Sequence, residues 1–254
     1  MWQPDGSGNI ARIGVLTPHM DPVPESEINA MAPEGVSVHT ARVPLGIVGP
    51  DGTISAHVGP DVPKAFAESP AVLDAASLLM PLEPSAVIYA FTSSSYTLGP
   101  GADMALKERL ENRGRGVPVI IQSQSLGTAL RALETERIAL IHPPWFSIEL
   151  DALGANFFAD QGFDLAYHGP ARLRTDYGDI APQKLFDWAQ SRMPDDAQAL
   201  VFGGGGLRAI GVIDALEKDL GRPVLSSNQA AFWAALRAAD AVVKVAGYGR
   251  LFQI

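Results

Sequence analysis

Eight short, β-rich apolar runs punctuate the chain, at residues 13–16, 36–41, 86–90, 117–121, 138–141, 163–167, 199–202 and 223–225. Several are continuously apolar instead of alternating, which suits strands covered on both faces. Between them lie helical patterns at 72–79, 101–112, 182–192, 207–220 and 230–239. The first is preceded by Ser69, a good N-cap, and by Pro70 at the first helical position, where its missing N–H costs nothing. Strand, helix, strand in this order predicts repeated βα units with right-handed crossovers, and therefore an α/β fold. At 254 residues and 47% hydrophobic, the chain can bury a substantial core without disulfides or structural metal.

The pattern also repeats. Ile13-Gly14-Val15-Leu16-Thr17-Pro18 resembles Ile138-Ala139-Leu140-Ile141-His142-Pro143. Gly35-Val36-Ser37-Val38 corresponds to Gly162-Phe163-Asp164-Leu165, and the run from Val87 to that from Leu200. Gly116-Val117-Pro118-Val119 corresponds to Gly221-Arg222-Pro223-Val224. Four elements in one order, twice, imply two similar halves of roughly 110–120 residues. Ligands of such folds bind beyond the carboxyl ends of the strands. Four loops would then surround one cleft: residues 17–21, 91–95, 142–145 and 203–206.

Composition removes several classes of function. A net charge of −9 and the lack of a basic run argue against gripping nucleic acid. No apolar stretch reaches the roughly 20 residues of a membrane span. Met1-Trp2-Gln3-Pro4-Asp5-Gly6 has neither a basic flank nor an apolar core, so no signal peptide is read there and a cytoplasmic location is expected. There is no cysteine, which excludes disulfides, thiolate metal sites and thiolate catalysis.

The loops carry the remaining chemistry. Thr92-Ser93-Ser94-Ser95 offers hydroxyls and backbone N–H groups to a carboxylate, or else is a turn that caps its own backbone. Gly203-Gly204-Gly205-Gly206 lets backbone approach a ligand as an anion nest, or is only a tight strand-to-helix turn. In Ser226-Ser227-Asn228-Gln229, Ser227 or Asn228 is expected to cap the helix that follows. Of five histidines, His39 and His168 fall at the far ends of second-position strands and are expected to be structural, and His57 lies in a Gly/Pro loop. His19 and His142 stand at strand exits, one per half, where either could act as general acid or base. Asp21 could orient one of them or titrate itself. No histidine or carboxylate spacing suggests a metal, and no Gly-x-Ser-x-Gly elbow suggests a hydrolase.

Several segments together resemble the aspartate/glutamate racemase superfamily, in its arylmalonate decarboxylase and maleate cis-trans isomerase branch and most narrowly the ectoine-utilisation (EutA) proteins. They are residues 32–42, Leu207-Arg208, residues 212–217, residues 226–230 and residues 247–252. The resemblance implies two pseudosymmetric Rossmann-like halves with parallel four-stranded sheets. It divides the chain into 1–121 plus 230–254 and 122–229, with one ligand cleft between. It also implies a small carboxylate or amino-acid ligand and no cofactor, with a homodimer as one option for assembly.

The family's two cysteine positions fall at Phe91 and Gly204, its first-loop Asn near Asp21 and its Tyr near Pro144. Two-thiolate chemistry is therefore excluded in its usual form. The expected catalytic candidates are His19, Asp21 and His142. Phe91, Thr92, Ser93, Ser94, Gly204, Gly205, Gly206 and Asn228 are expected to contact ligand. Three readings stay open: non-thiolate isomerase, racemase or decarboxylase-like proton transfer; a catalytically silent carboxylate-binding or accessory protein of ectoine degradation; and a protein whose partner surface matters more than its cleft.

Overall fold

A computed structural model describes residues 5–46, 59–173 and 180–254; His57 lies outside the described residues. All eight expected strands are present. The first sheet holds β1 (Ala11–Pro18), β2 (Val36–Val43), β3 (Ala86–Tyr89) and β4 (Val119–Ile121) in the order β2-β1-β3-β4. The second holds β5 (Arg137–His142), β6 (Asp164–Pro170), β7 (Ala199–Phe202) and β8 (Val224–Ser226) in the order β6-β5-β7-β8. Every pairing is parallel. The two orders are identical, as the internal repeat requires.

That order positions the site. In each sheet the chain winds outward in both directions from a central pair, β1 and β3 or β5 and β7. The loops leaving such a pair diverge to opposite faces and open a crevice at the strand ends. Leu16 is registered with Tyr89 and Ile141 with Phe202, so both pairs end level. Ile13, Val15, Leu16, Ile88, Tyr89, Leu140, Val201 and Phe202 are buried, which explains the lack of polar alternation.

Nine α-helices lie among the described residues: α1 (Val23–Met31), α2 (Asp61–Glu68), α3 (Pro70–Leu79), α4 (Thr92–Arg113), α5 (Gln122–Ala132), α6 (Ile148–Ala159), α7 (Pro182–Gln190), α8 (Ile210–Leu220) and α9 (Ser227–Ala238). Ser69 caps α3 as expected, its side chain accepting from the Ala71 N–H at 3.2 Å. Two local expectations are corrected. The cap of α9 is Ser226, not Ser227 or Asn228: its hydroxyl accepts from the Gln229 N–H while the Gln229 side chain accepts from the Ser226 N–H. This reciprocal pair satisfies two otherwise orphaned donors and needs Gln three residues on. Also, α4 begins at Thr92 and runs through a break at Gly99, whose φ of +76° glycine tolerates without strain. The serine run is thus a first helical turn, not a loop.

α9 packs on α1 and β3, and also on α5, while α4 packs on α6. No helix among the described residues is long and apolar enough to cross a membrane.

Candidate functional site

All four loops named above converge on one small cleft. Its walls are Asp21 and Leu45, then Ala90, Phe91, Thr92 and Ser93, then Pro143, Trp145 and Phe146, and finally Gly204, Gly205 and Gly206. The space between these walls is about 20 Å³, room for roughly one water molecule. Aromatic side chains narrow it: Phe91 packs on Phe66 with ring centroids 4.5 Å apart, and Trp145 and Phe146 are both buried. A wider hollow of about 470 Å³ opens beside α1, with Ser26, Glu27 and Arg208 on its wall.

Thr92 and Ser93 form the start of α4, where the first backbone N–H groups have no helical acceptor and the helix dipole favours an anion. Opposite stand the three glycines. Gly203, just before them, is held by the first half: Tyr96 Oη donates to its carbonyl at 2.9 Å and Thr92 Oγ1 at 3.4 Å. Gly204 is enforced sterically, because a Cβ there would overlap the Pro143 ring. Behind the loop, Asn228 donates to the Gly205 carbonyl at 2.8 Å and to Glu27 Oε2 at 2.7 Å, and accepts from Gln122 Nε2 at 2.6 Å. Glu27 Oε1 accepts from the Ile210 N–H at 3.0 Å. Burial, against these hydrogen bonds, pushes the Glu27 carboxyl up to about 7.

The structure separates the expected site residues. Phe91, Thr92, Ser93, Gly204, Gly205 and Gly206 are on the wall. Ser94 is fully buried and donates to the Phe91 carbonyl at 2.9 Å, a local bond at the start of the helix. Asn228 holds the glycine loop from behind and is not on the cleft wall. Among the three acid–base candidates, Asp21 lines the cleft and its Oδ1 accepts from the Val23 N–H at 3.0 Å, in the first turn of α1. His19 is exposed and off the wall; its Nδ1 accepts from the Leu45 N–H at 3.0 Å. Arg42 fixes this segment by donating to the carbonyls of His19 and Asp21, both at 3.2 Å, while pairing with Glu25.

His142 lies one ring behind the wall. It is fully buried and stacks on Phe146 with centroids 5.1 Å apart, and a Cβ on Gly203 would sit 2.9 Å from its Nε2. Its Nδ1 is 2.6 Å from Asp151 Oδ1, and Asp151 Oδ2 is 2.8 Å from Nδ1 of His168. Its Nε2 has no hydrogen-bond partner among the described residues. Burial lowers the His142 pKa, partly offset by Asp151, so the ring is neutral at pH 7. Burial raises the Asp151 carboxyl, but hydrogen bonds from His142 and His168 outweigh it and leave the net shift downward.

Sequence reading did not find Asp151, and it placed His168 among structural residues. They lie 9 and 26 positions from His142, on α6 and β6, with no local signal linking them. Another buried cluster joins Ser95, Asp103, Ser123 and Gln124, and burial pushes the Asp103 carboxyl up to about 6. No group of three His, Cys, Asp or Glu residues among the described residues could hold a metal ion.

Residues 66–252 match the family model described as arylmalonate decarboxylase. The chain is 26% identical over 255 residues to a maleate isomerase of Nocardia farcinica (strain IFM 10152), covering 96% of each protein. It is 30% identical over 171 residues to an arylmalonate decarboxylase of Bordetella bronchiseptica, covering 63% of this chain and 68% of that one. Among solved structures, the maleate isomerase of Pseudomonas putida S16 with maleate superimposes with a TM-score of 0.81 at 23% identity, over 95% of this chain and 97% of that one. A cysteine-to-serine variant of the Nocardia farcinica maleate cis-trans isomerase with a covalently bound succinylcysteine intermediate also matches at 0.81, with 23% identity over 96% and 99%. Model coverage and relatives agree: the chain belongs to the arylmalonate decarboxylase and maleate isomerase family of the Asp/Glu racemase-like superfamily.

Proposed function

We propose that the cleft binds a small carboxylic acid or amino acid, in ectoine utilisation, and moves a proton at the carbon beside the carboxylate without a thiol. The single observation that carries this reading is the opposition of two anion-ready backbone segments, Thr92-Ser93 and Gly204-Gly205-Gly206, across one narrow cleft. They suit a carboxylate or an enolate-like intermediate, whose charge preorganised N–H groups stabilise. A succinylcysteine cannot form on a chain with no cysteine, so proton transfer falls to Asp21 on the wall and His142 behind it. A cleft of about 20 Å³ admits such a ligand only after Phe91, Trp145 or Phe146 moves aside. Movement of Phe146 uncovers His142. We divide the chain into 1–121 plus 230–254 and 122–229; the packing of α9 on β3 and β4 supports this.

Proton NMR in D₂O tests the reading with maleate, arylmalonates, aspartate, glutamate and ectoine-derived amino acids. Deuterium entering beside a carboxylate, or a product signal, is the expected result. Line broadening of a ligand with unchanged spectra favours a silent carboxylate binder, the alternative to which the narrow cleft and missing thiol lend weight. Silence on both counts overturns both.

The proline behind the glycine loop gives a second expectation. Gly204→Cys forces a side chain into the Pro143 ring and is expected to destabilise the protein by roughly 1–3 kcal/mol through overpacking. Adding Pro143→Ala should recover most of that loss, measured by urea unfolding. Equal stability of wild type and Gly204→Cys would show that the 143–146 turn yields freely.

A further inference from the structure

Resting on the reading of His142 as the proton-transfer group, we propose that Asp151, itself anchored by His168, is its positioning residue and fixes the tautomer that leaves Nε2 of His142 free to act as a base. The three side chains form one line from solvent to the rear of the cleft. His168 is 43% exposed on β6, Asp151 is buried on α6, and His142 is buried at the end of β5. Asp151 uses one oxygen for each imidazole, at 2.6 and 2.8 Å. An ionised carboxylate only accepts hydrogen bonds. It therefore holds the proton of neutral His142 on Nδ1 and leaves the lone pair on Nε2, the nitrogen with no partner among the described residues. A free lone pair on an imidazole fixed from behind is the geometry of a general base.

The surroundings are tight enough to hold the ring in place. A Cβ on Gly154 of α6 would come within 2.7 Å of Nε2, so only glycine leaves the imidazole its seat. Tyr96 of α4 has its ring centroid 5.3 Å from that of His142. Among the described residues, the ionisable neighbours of His142 are Asp151 from α6, His168 from β6 and Tyr96 from α4, whose phenol burial pushes far up and keeps neutral. The turn of Pro143, Pro144, Trp145, Phe146 and Ser147 and the glycine loop contribute none. On its other oxygen the ionised Asp151 accepts from Nδ1–H of His168 at 2.8 Å, which fixes the carboxylate plane that orients His142.

Nitrogen-15 NMR of the full chain labelled at histidine tests this without any ligand, at pH 7. The expected result is a neutral His142 protonated on Nδ1. In Asp151→Asn that tautomer is lost, and in His168→Ala, which leaves one oxygen of Asp151 without its imidazole, the Nδ1-protonated share falls. His168→Ala alters a half-exposed side chain, so the test survives if Asp151→Asn does not fold. An Nε2-protonated His142 in the wild type, or a tautomer that both variants leave unchanged, overturns the proposal. Deuterium entry supplies the second arm: both variants should slow it with little change in ligand affinity. Exchange at the wild-type rate in both overturns the positioning role and leaves the proton-transfer reading standing. A fixed Nδ1 tautomer with no exchange of any carboxylate supports the positioning and overturns that reading instead.

Discussion

Replacing His142 with asparagine is expected to slow deuterium entry by roughly 10²–10⁴-fold, the range that a positioned acid or base contributes. The asparagine amide can reproduce the hydrogen bond of Nδ1 to Asp151 Oδ1 but has nothing at the position of Nε2. The substitution thus deletes the unpartnered nitrogen while keeping the second carboxylate bond. Ligand affinity, read by line broadening or calorimetry, should change little, because the walls that face a carboxylate are Thr92, Ser93 and the glycine loop. A variant that exchanges at the wild-type rate moves the chemistry to Asp21, where Asp21→Asn then gives the deciding measurement.

The second large effect concerns Glu27. Glu27→Met removes the acceptor of both the Ile210 N–H and the Asn228 amide and should cost roughly 2–5 kcal/mol at pH 5. Burial raises the folded-state pKa of this carboxyl from 4.5 to about 7. Between those values the folded protein binds a proton that the unfolded chain does not. The group's contribution is therefore fully present below pH 4.5 and is lost as pH rises through 7, a change on the order of 3 kcal/mol. The methionine variant lacks this titration, so the gap between it and wild type should narrow by a similar amount from pH 5 to pH 8. Asp103, pushed up to about 6, and His142 titrate alike in both proteins and cancel from the comparison. A gap that is constant with pH, measured by urea unfolding, would refute the protonation of Glu27 near neutrality. The same variant loosens Asn228 and with it the Gly205 carbonyl, so ligand affinity should fall as well.

The central strands β1, β3, β5 and β7 were legible because both of their faces are covered. Runs such as Ile138-Ala139-Leu140-Ile141 leave no alternative period to read, and the repeat of Pro18 and Pro143 after the first strand of each half marked the symmetry. Helices α1, α2, α5 and α6 carried no such signature. α5 starts with Gln122-Ser123-Gln124-Ser125, and three of those four polar side chains are buried. α6 follows the Pro-Pro-Trp-Phe turn and is started by Ser147, whose hydroxyl accepts from the Leu150 N–H at 3.1 Å. The cleft walls could be anticipated, since strand exits in a doubly wound sheet fall where the order reverses. The His142–Asp151–His168 line could not, because its members meet only when α6 and β6 fold against the end of β5. Asn228 illustrates the intermediate case: its importance was visible, but its role behind the loop depends on Glu27, 201 positions away.

The contact between Pro143 and Gly204 also bears on how sequences of this kind can change over time. A single mutation of Gly204 to a residue with a nucleophilic side chain passes through a strained protein, whereas the same mutation after Pro143 has been replaced no longer meets the ring carbons that lie within 2.6 Å of a Cβ there. The order of steps then decides which descendants are reachable. A lineage that acquires the proline first is held on the thiol-free side, and selection for a nucleophile at that loop acts on the proline before it can act on the glycine.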